Sequence, residues 1–386
     1  MDITKEKACL CALNRIFGFE PRIGTALLSH FDSASEVFEL NDTDISHILG
    51  PFSRFSGQIT ANKIEESADE LIRLSDSGTR FVGWNEEGYP QLLKECPDAP
   101  VGLYIRSQTD DKELWTPHPV SIVGTRDLSP YGREWCHKIV KSLSACPART
   151  SVISGLAIGT DICAHRAATD SGLPTIAVMA TGPENIYPVR HTDFAMSLIH
   201  TPGCALVTDF PPGTPPLAAH FLRRNRIIAG LSEATILIES KIKGGGIMTA
   251  NLAFSYGRGV YALPGRVDDP CSQGCNNLIR AKVAEAVSGT DTLIRSLGLP
   301  AGTAGKTASD RERLSARYMT SMTQDNIDRL SSILLLIRRH RGITVEELAD
   351  MCGTDYSSTV RMAGLLESDG FITIDLLQRC CINARK

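Results

Sequence analysis

The sequence predicts an α/β protein with a doubly wound parallel sheet, preceded by a helical region and followed by a winged-helix-like module. In the middle of the chain, helix-like segments such as 131–143 and 160–170 alternate with apolar runs at 120–123, 151–153, 175–179, 205–207, 235–239 and 260–263. These runs lack polar alternation, which is typical of strands buried on both faces of a parallel sheet. The alternation of strand and helix therefore indicates a doubly wound α/β domain.

Length, charge and hydropathy restrict the class of protein further. With 386 residues and a net charge of −4 at pH 7, the chain can form two or three domains and is not a general polyanion binder. Any nucleic-acid surface must therefore be local. No apolar run reaches the ~18 to 20 residues that span a bilayer, and the start of the chain lacks the layout of a signal peptide. We expect a cytoplasmic protein.

The twelve cysteines do not form a metal-binding pattern. Three pairs are closely spaced: Cys9 and Cys11, Cys271 and Cys275, and Cys380 and Cys381. None of them combines with histidines at the spacing of a zinc site. Disulfides are not expected in a reducing compartment either. We predict no structural metal and no cofactor, with most thiols acting as small buried side chains.

Residues 1–78 are predicted to form a helical domain, because their apolar residues recur at helical spacing. The segment 18–24 and the following 26–31 are similar to a helix-hairpin-helix, a turn that offers backbone N–H groups to a phosphate. The spacing is looser than in that motif, so a small helical bundle used for packing or docking is the favoured interpretation. A loop-rich bridge at 84–100 and a strand at 101–105 lead into the core.

The C-terminal part of the chain is predicted to be a linker and a small module. Small polar residues at 302–310 indicate a linker, which we assign to 298–327. Residues 328–386 then contain helix-like segments at 330–338, 344–351 and 357–366 and a hairpin formed by 371–375 and 380–382. The third helix carries Arg361 but also Glu367, with Asp369 close behind. A DNA-reading helix is normally richer in basic residues, so a protein-docking role is favoured.

The segment 220–232 is the most informative part of the sequence. It places Phe221, Arg223, Arg224, Asn225 and Arg226 at the head of a predicted helix, and no acidic residue lies between 217 and 232. Guanidinium groups and a helix N-terminus suit phosphate, and an adjacent aromatic ring suits a base. The cluster therefore points to nucleic acid or a nucleotide.

The roles of the individual side chains in this cluster remain open from sequence. Helical geometry places Arg223 and Arg226 on one face and Arg224 about a quarter-turn away. Of these three arginines and Arg126, we expect at least two on the ligand and one in a structural ion pair, with Asp209 or Asp161 as candidate partners. Asn225 either anchors a loop or contacts a base. Phe221 is either a stacking platform or a plug in the core.

Several predicted strands end in glycine-rich turns that can bind an anion. Gly124-Thr-Arg126 follows one strand, Ser154-Gly155 begins the turn after another, and Lys241-Ile-Lys-Gly-Gly-Gly246 leads towards Thr249 after a third. Because ligands of open α/β sheets bind beyond the carboxyl ends of the strands, these turns should share one edge. Glycines expose consecutive N–H groups, and Arg126 with Lys241 or Lys243 adds positive charge. We predict a phosphate-binding rim.

The order of motifs from about 80 to 290 resembles that of the DNA-processing protein A family (DprA, also called Smf). The motifs are Val120-Ser-Ile-Val-Gly-Thr-Arg126, Pro130-Tyr-Gly132, Ser154-Gly-Leu-Ala-x-Gly159 with Asp161, Ala164-His-Arg166, Tyr187-Pro188, Phe210-Pro-Pro-Gly-Thr-Pro-Pro216, Phe221-x-Arg-Arg-Asn-Arg-Ile-Ile-Ala-Gly-Leu231, Pro264-Gly265 and Gly274-Cys-Asn276. The resemblance implies a SAM-like helical domain at 1–78, a Rossmann-like DNA-binding core at 79–297 and a winged-helix-like domain at 328–386.

The same resemblance implies a function and a set of site residues. Family members bind single-stranded DNA, form homodimers and load RecA recombinase during natural transformation and recombination, while single-strand-binding protein is displaced. The implied DNA-binding residues are Arg126, Ser154, Gly155, Phe221, Arg223, Arg224, Asn225, Arg226, Lys241, Lys243, Gly244, Gly245, Gly246 and Thr249. Leu278 and Ile279 are implied at the dimer interface, although core packing is the ordinary interpretation of that apolar stripe.

The chain departs from the family pattern at three positions. It has Ile158-Gly-Thr-Asp161 where members often carry Arg-Gly-Ile-Asp, Thr208-Asp209 where Ser-Glu is usual, and Phe221-Leu222 in place of Phe-Pro. The first change removes a basic group from the rim, so the affinity for DNA is the property that these changes affect.

Two other functions remain as alternatives. The first is a nucleotide-processing enzyme, because the core is similar to that of phosphoribohydrolases, whose glycine-rich loop leads to a catalytic glutamate. Here the loop 244–249 is followed by Ala250-Asn251-Leu252, without a carboxylate, so no general acid or base is evident and we predict no enzyme. His165 is expected to be a buried, hydrogen-bonded histidine, and Asp161 to anchor the turn before it. The second alternative, a structural adaptor, does not explain the arginine cluster.

Overall fold

The computed structural model describes residues 4–300, 310–318, 322–340, 342–375 and 378–382. By its internal contacts the chain divides into two units, Met1–Gly302 and Thr303–Lys386. Most of the small polar segment expected to be a linker, 301–309, lies outside the described residues. The helix Asp310–Tyr318 falls within the range 298–327 that we assigned to the linker, so an ordered element occupies part of that range.

The core of the first unit is a nine-stranded sheet in the order β1-β2-β6-β5-β4-β3-β7-β8-β9. Its strands are β1 (Thr79–Gly83), β2 (Gly102–Arg106), β3 (His118–Val123), β4 (Thr150–Ser154), β5 (Thr175–Val178), β6 (Ala205–Thr208), β7 (Ala234–Leu237), β8 (Gly259–Ala262) and β9 (Glu285–Ala286). The seven strands β6, β5, β4, β3, β7, β8 and β9 run parallel to their neighbours. Strand β1 pairs antiparallel with β2, and β2 pairs antiparallel with β6. The predicted doubly wound α/β fold is confirmed.

Helices cover both faces of the sheet. Those of the first unit are α1 (Lys5–Ile16), α2 (Pro21–His30), α3 (Ala34–Val37), α4 (Asp42–Leu49), α5 (Ala61–Asp76), α6 (Gln91–Lys94), α7 (Asp111–Leu114), α8 (Pro130–Ser144), α9 (Thr160–Asp170), α10 (Thr192–Ile199), α11 (Ala218–Gly230), α12 (Gly245–Ser255), α13 (Gln273–Arg280) and α14 (Thr290–Ser296), with short 3-10 helices at Ser56–Gln58 and Val189–His191. Helices α8, α9 and α14 share one core with Val120, Ile122 and Val152, while α11, α12 and α13 pack with Val123 and Ile153. Successive strand residues therefore serve opposite faces, as the unbroken apolar runs predict.

The N-terminal helices pack on the antiparallel edge of the sheet. Side chains of α1, α2 and α5 form a core with Phe81 of β1 and Tyr104 of β2. Asn14 connects this region to the sheet, because its Nδ2 donates to the carbonyl of Asp209 at 3.0 Å and its Oδ1 accepts from the N–H of Gly102 at 3.2 Å. The helical prediction for this region is confirmed, and its helices belong to the same unit as the sheet.

The second unit contains α15 (Asp310–Tyr318), α16 (Gln324–Arg339), α17 (Val345–Cys352), α18 (Tyr356–Ser368) and a hairpin of β10 (Ile372–Ile374) and β11 (Cys380–Ile382). The three helices and the hairpin predicted for this region are present. The additional helix α15 buries Leu314 and Tyr318 in the core of this unit. A capping box fixes the start of α17, where Thr344 Oγ1 accepts from the N–H of Glu347 and Glu347 accepts from the N–H of Thr344.

Candidate nucleic-acid interface

A cleft of about 440 Å³ opens at the carboxyl ends of β3 and β7. These neighbouring strands mark the switch point of the sheet, since the chain proceeds from β3 to β4 on one side and from β7 to β8 on the other. The turn after β3, the turn after β7 and helices α11 and α12 form the walls. Ligands of open α/β sheets bind at such a point.

Ten of the fourteen residues that we expected at the DNA site line this cleft. They are Arg126, Phe221, Arg224, Asn225, Lys241, Lys243, Gly244, Gly245, Gly246 and Thr249. Ser154, Gly155, Arg223 and Arg226 are not among the lining residues. The strand exits therefore do converge, although the residues that meet there are not all exposed to a ligand.

Three exposed cations surround the cleft. Arg126 follows β3, and Lys241 and Lys243 follow β7. None of the three forms an ion pair with another described residue. Among the lining residues, Asp161 is the sole carboxylate, and it is buried. The accessible charge at the mouth of the cleft is therefore positive, although the chain as a whole is acidic.

Helix N-termini add to this charge. Helices α9, α11 and α12 begin near the cleft, and in none of them does a side chain cap the first turn. The first turn of α12 lies close to the exit of β3, because a Cβ at Gly246 would lie 3.2 Å from Gly124 Cα and 2.6 Å from Leu237 Cδ1. Only glycine allows this approach. The unpaired N–H groups of a helix start favour a bound anion, and basic side chains reinforce that preference.

Arg224 lines the cleft, but its side chain is largely buried and bonded to the protein. The residue is 4% exposed, and its guanidinium donates to the carbonyl of Gly155 at 2.5 Å and to that of Val178. Burial lowers its pKa to about 10, while the nearby Asp161 opposes that shift, so Arg224 remains charged at neutral pH. Gly155 has to be glycine here, since a Cβ would lie 2.2 Å from Arg224 Nη1. The pair holds the exits of β4 and β5 together.

Arg223 and Arg226 both form an ion pair, whereas we expected one of the arginines to do so. Both donate to Asp209 Oδ2, at 2.6 and 2.5 Å, and the Asp209 side chain is fully buried. The predicted common face of Arg223 and Arg226, and an ion pair with Asp209, are confirmed. Arg223 also stacks between Phe19 and Phe210, 4.7 Å from each ring centroid. Asp209 draws both guanidiniums away from the cleft because a buried carboxylate requires compensation.

Ser154 is buried behind the cleft, and Asn225 is a largely buried part of its wall. Ser154 is fully buried and donates to the carbonyl of Ile122 at 2.6 Å, so it joins β4 to β3. Asn225 is 8% exposed and contributes to the wall of the cleft. Like Gly155, Ser154 shapes the strand exits without facing a ligand.

Phe221 lies half-buried at the rim of the cleft and belongs to none of the core clusters of the described residues. Its ring meets Tyr187 edge-on at 5.4 Å, and the Arg126 guanidinium lies 5.6 Å from its centroid. Tyr187 is 44% exposed and was not among the expected site residues. Its place in the Tyr187-Pro188 motif was the signal that could have identified it. Together these residues form an exposed group of two rings and one cation.

Asp161 and His165 have structural roles, as predicted. Asp161 Oδ2 accepts from the N–H of Ala157 at 3.3 Å and so anchors the turn after β4. Burial raises the pKa of the Asp161 carboxyl, against the effect of Arg224. His165 is fully buried, and its Nδ1 lies 2.7 Å from Thr175 Oγ1. Burial lowers the pKa of His165 to about 3, so this imidazole is neutral at physiological pH.

Leu278 lies in the core, which corrects its assignment to a dimer interface. The side chain is 6% exposed and packs with residues of β7 and β8, because α13 lies on the face of the sheet with its apolar side inward. Ile279 is partly buried against the same core. Of the two expected interface residues, Ile279 alone retains some accessible surface.

The described part of the chain contains no group of three or more side chains suited to a metal ion. The cysteines form no disulfide within the same residues. Among the described helices, none combines the length and the apolar character needed to cross a membrane.

The part of the chain that contains the cleft is similar in sequence to known proteins. The model of the family described as DNA recombination-mediator protein A matches residues 80–298, which include the whole cleft. Protein Smf of Escherichia coli (strain K12) is 38% identical over 212 residues, which cover 54% of this chain and 54% of Smf. The match thus spans about half the length of that relative.

The solved structures similar to this chain include two of DNA processing protein A. The X-ray structure of DNA processing protein A from Streptococcus pneumoniae has a TM-score of 0.62 and 27% sequence identity, and the match covers 76% of this chain and 98% of the other. The structure that describes a unique single-stranded DNA binding mode of DNA processing protein A from Helicobacter pylori has a TM-score of 0.50 and 26% identity. That match covers 57% of this chain and 95% of the other.

Proposed function

Because the chain belongs to the DNA recombination-mediator protein A family, we propose that it binds single-stranded DNA in the cleft at the carboxyl ends of β3 and β7. The observation that carries this proposal is the ring of three exposed cations, Arg126, Lys241 and Lys243, around a cleft that helix N-termini border. The Helicobacter pylori relative, which binds single-stranded DNA, supports the choice of ligand.

In this proposal the three cations and the backbone of 244–246 hold successive phosphates, and a base stacks on Phe221 beside Tyr187. Phosphate contacts fix the position of the strand but do not read its sequence. A stacked base contributes about 1–3 kcal/mol regardless of its identity. Binding should therefore be largely independent of sequence, and single strands should be preferred because their bases are free to stack on the protein.

Fluorescence anisotropy with a labelled oligothymidylate, at two salt concentrations and with unlabelled duplex as competitor, tests the proposal. Three neutralised phosphates predict a slope of log K against log salt of about −2 for a single strand. Duplex DNA should compete weakly. Binding that is indifferent to salt, or displacement by duplex and single strand at equal concentrations, would argue against this site.

We further propose that the protein acts as a homodimer and transfers the bound strand to RecA recombinase during DNA uptake and recombination, while single-strand-binding protein is displaced. Family membership is the support for this step, and a dimer would engage two stretches of DNA. The accessible part of Ile279 on α13 is our candidate for the dimer contact. Sedimentation should give a dimer for the wild type and a monomer for Ile279→Glu, with the exposed neighbour Arg280→Glu as a control.

The transfer step is tested by RecA ATPase activity on DNA coated with single-strand-binding protein. Addition of the wild-type protein should shorten the lag before ATP hydrolysis, because the strand becomes accessible to RecA. An unchanged lag at saturating protein would contradict the loading role, even if binding of the free strand were observed.

Catalysis is not part of the proposed function. In the cleft the lining carboxylate Asp161 accepts from the backbone N–H of Ala157, and the loop at 244–252 carries no acidic residue. A general acid or base has to reach the reacting group of the ligand, and the cleft has no lining histidine and no exposed carboxylate among the described residues to do so. Release of free base from nucleoside monophosphates by the purified protein would contradict this view.

A further inference from the structure

The exposed surface of helix α8 (Pro130–Ser144) has an excess of basic residues, although the chain as a whole is acidic. The helix carries four basic residues and one acidic residue, and all five are exposed: Arg133, His137, Lys138, Lys141 and Glu134. The single acid, Glu134, is paired with Lys138 at 2.6 Å. Two formal positive charges thus remain on fifteen residues, whereas the whole chain carries −4.

The uncompensated basic groups lie in a row. Arg133, His137 and Lys141 are spaced four residues apart, which puts them on one side of the helix with a rise of about 6 Å between neighbours. The buried side of the helix, formed by Cys136, Ile139, Val140 and Leu143, points into the core. Neither Arg133 nor Lys141 forms an ion pair with another described residue. The row is comparable in spacing with successive phosphates of an extended strand.

Two aromatic rings lie on the other edge of the exposed face of α8, since residues two apart on a helix do not share a side. Tyr131 is 42% exposed, and its ring lies 6.3 Å from that of Trp135, which is itself partly buried. Lys138 Nζ lies 5.3 Å from the Trp135 ring. Basic side chains together with accessible rings are the combination by which proteins bind single-stranded nucleic acid without sequence preference.

The row follows the cleft closely in the sequence. Arg126 lies in the turn after β3, and α8 begins four residues later at Pro130. Helix α8 then runs back across the face of the sheet opposite to α11 and α12. Along α8, Arg133 is the member of the row nearest to the cleft end of the helix, and Lys141 lies about 12 Å further along.

We propose that α8 is a second contact surface for the same single strand, with Arg133, His137 and Lys141 holding the phosphates that lie beyond the cleft. This inference rests on the proposed function and adds to it the direction in which the bound strand extends. A short oligonucleotide occupies the cleft alone, whereas a longer one also occupies α8.

The test compares two strand lengths, oligothymidylates of about five and about twenty nucleotides, which lie near the lower end and beyond the upper end of the site sizes of about 4–16 nucleotides typical of single-strand-binding folds. The variant is Arg133→Ser/Lys141→Ser, which removes two exposed charges. The matched control is Lys63→Ser/Arg73→Ser on α5, which removes the same charge from a helix that packs on the far edge of the sheet. Affinity is measured by anisotropy across a salt series.

The α8 variant should bind the short strand like the wild type and the long strand about tenfold more weakly, and its salt slope for the long strand should be shallower by about 1.4. The control should match the wild type at both lengths. An unchanged affinity and slope for the long strand would overturn the inference while leaving the cleft proposal intact. Equal weakening at both lengths would overturn it too, because the residues would then act on the cleft. Failure of the wild type to bind either strand would remove the proposed function itself.

Discussion

Arg126 and Arg224 belong to the same cleft but have different environments. Arg126 is exposed and lies against the Phe221 ring, whereas Arg224 is buried and donates to two backbone carbonyls at the exits of β4 and β5. An exposed cation is available to bind a ligand, whereas a buried guanidinium that bonds to the backbone stabilises the fold. Removing each of them should therefore affect different properties.

We expect Arg224→Ala to lower the free energy of unfolding by about 3 kcal/mol, since it leaves the carbonyls of Gly155 and Val178 and the nearby Asp161 without their partner. Arg126→Ala should change it by less than about 0.5 kcal/mol, because the side chain is exposed. Urea denaturation of both variants checks this. Equal stabilities for the two variants would mean that Arg224 is not a structural residue.

His165 gives the protein a predictable dependence of stability on pH. Its pKa is lowered to about 3 by burial, whereas the unfolded chain should titrate near about 6.5. The unfolded state therefore binds the proton first as pH falls. The stabilising contribution is complete above about pH 6.5 and should be lost by about 1.4 kcal/mol per pH unit between that value and about 3.

Chemical denaturation at several pH values measures this loss, with His165→Asn as the reference. Asparagine can keep a hydrogen bond to Thr175 Oγ1 but does not titrate in this range. The variant should show a shallower decline of stability below pH 6.5 than the wild type. Parallel pH profiles for the two proteins would show that His165 does not carry the effect.

At the level of elements, the central strands could be predicted because each is a short apolar run. The runs at 151–153, 205–207 and 260–263 lie within or next to β4, β6 and β8. Strand β1 (Thr79–Gly83) was not predicted, since it lies at the edge of the sheet and its apolar run is only Phe81 and Val82. Its identity as a strand depends on antiparallel pairing with β2, a contact that no local pattern encodes.

The contacts and burial of the arginines of α11 could be predicted only in part. Helical spacing was enough to place Arg223 and Arg226 on a common face, and Asp209 was a correct candidate for an ion pair. That Asp209 binds both arginines depends on the position of β6 relative to α11, and the burial of Arg224 depends on β4 lying beside β5. Such contacts arise from strand order, which residue spacing does not fix.

The two units lead to a prediction about truncation. The cleft and α8 both lie in the unit Met1–Gly302, so a chain ending at residue 300 should bind single-stranded DNA with the affinity of the full chain. Helices α16 to α18 should contribute no measurable affinity for duplex DNA, because Arg361 of α18 is accompanied by Glu367 and Asp369. Anisotropy with single-stranded and duplex probes checks both statements. A large loss on truncation would place part of the binding surface in the second unit.

For the molecule as a whole, the distribution of charge matters more than its sum. The chain carries a net charge of −4, yet the cleft mouth and α8 expose Arg126, Lys241, Lys243, Arg133 and Lys141. Local positive potential concentrates a polyanion at one surface, while the acidic remainder limits unspecific binding. The N-terminal helices support this surface indirectly, since Phe19 stacks on Arg223 and Asn14 bonds to the Asp209 backbone at the base of α11.

The most direct measurement is the affinity for a labelled single strand of the variant Arg126→Ala/Lys241→Ala/Lys243→Ala. The matched control is Lys63→Ala/Arg73→Ala/Lys112→Ala, which removes the same charge from the surface of α5 and α7. We expect a loss of about a hundredfold at low salt for the cleft variant, unchanged thermal unfolding, and wild-type affinity for the control. A cleft variant that is folded and binds like the wild type would contradict the assignment of the DNA site to this cleft.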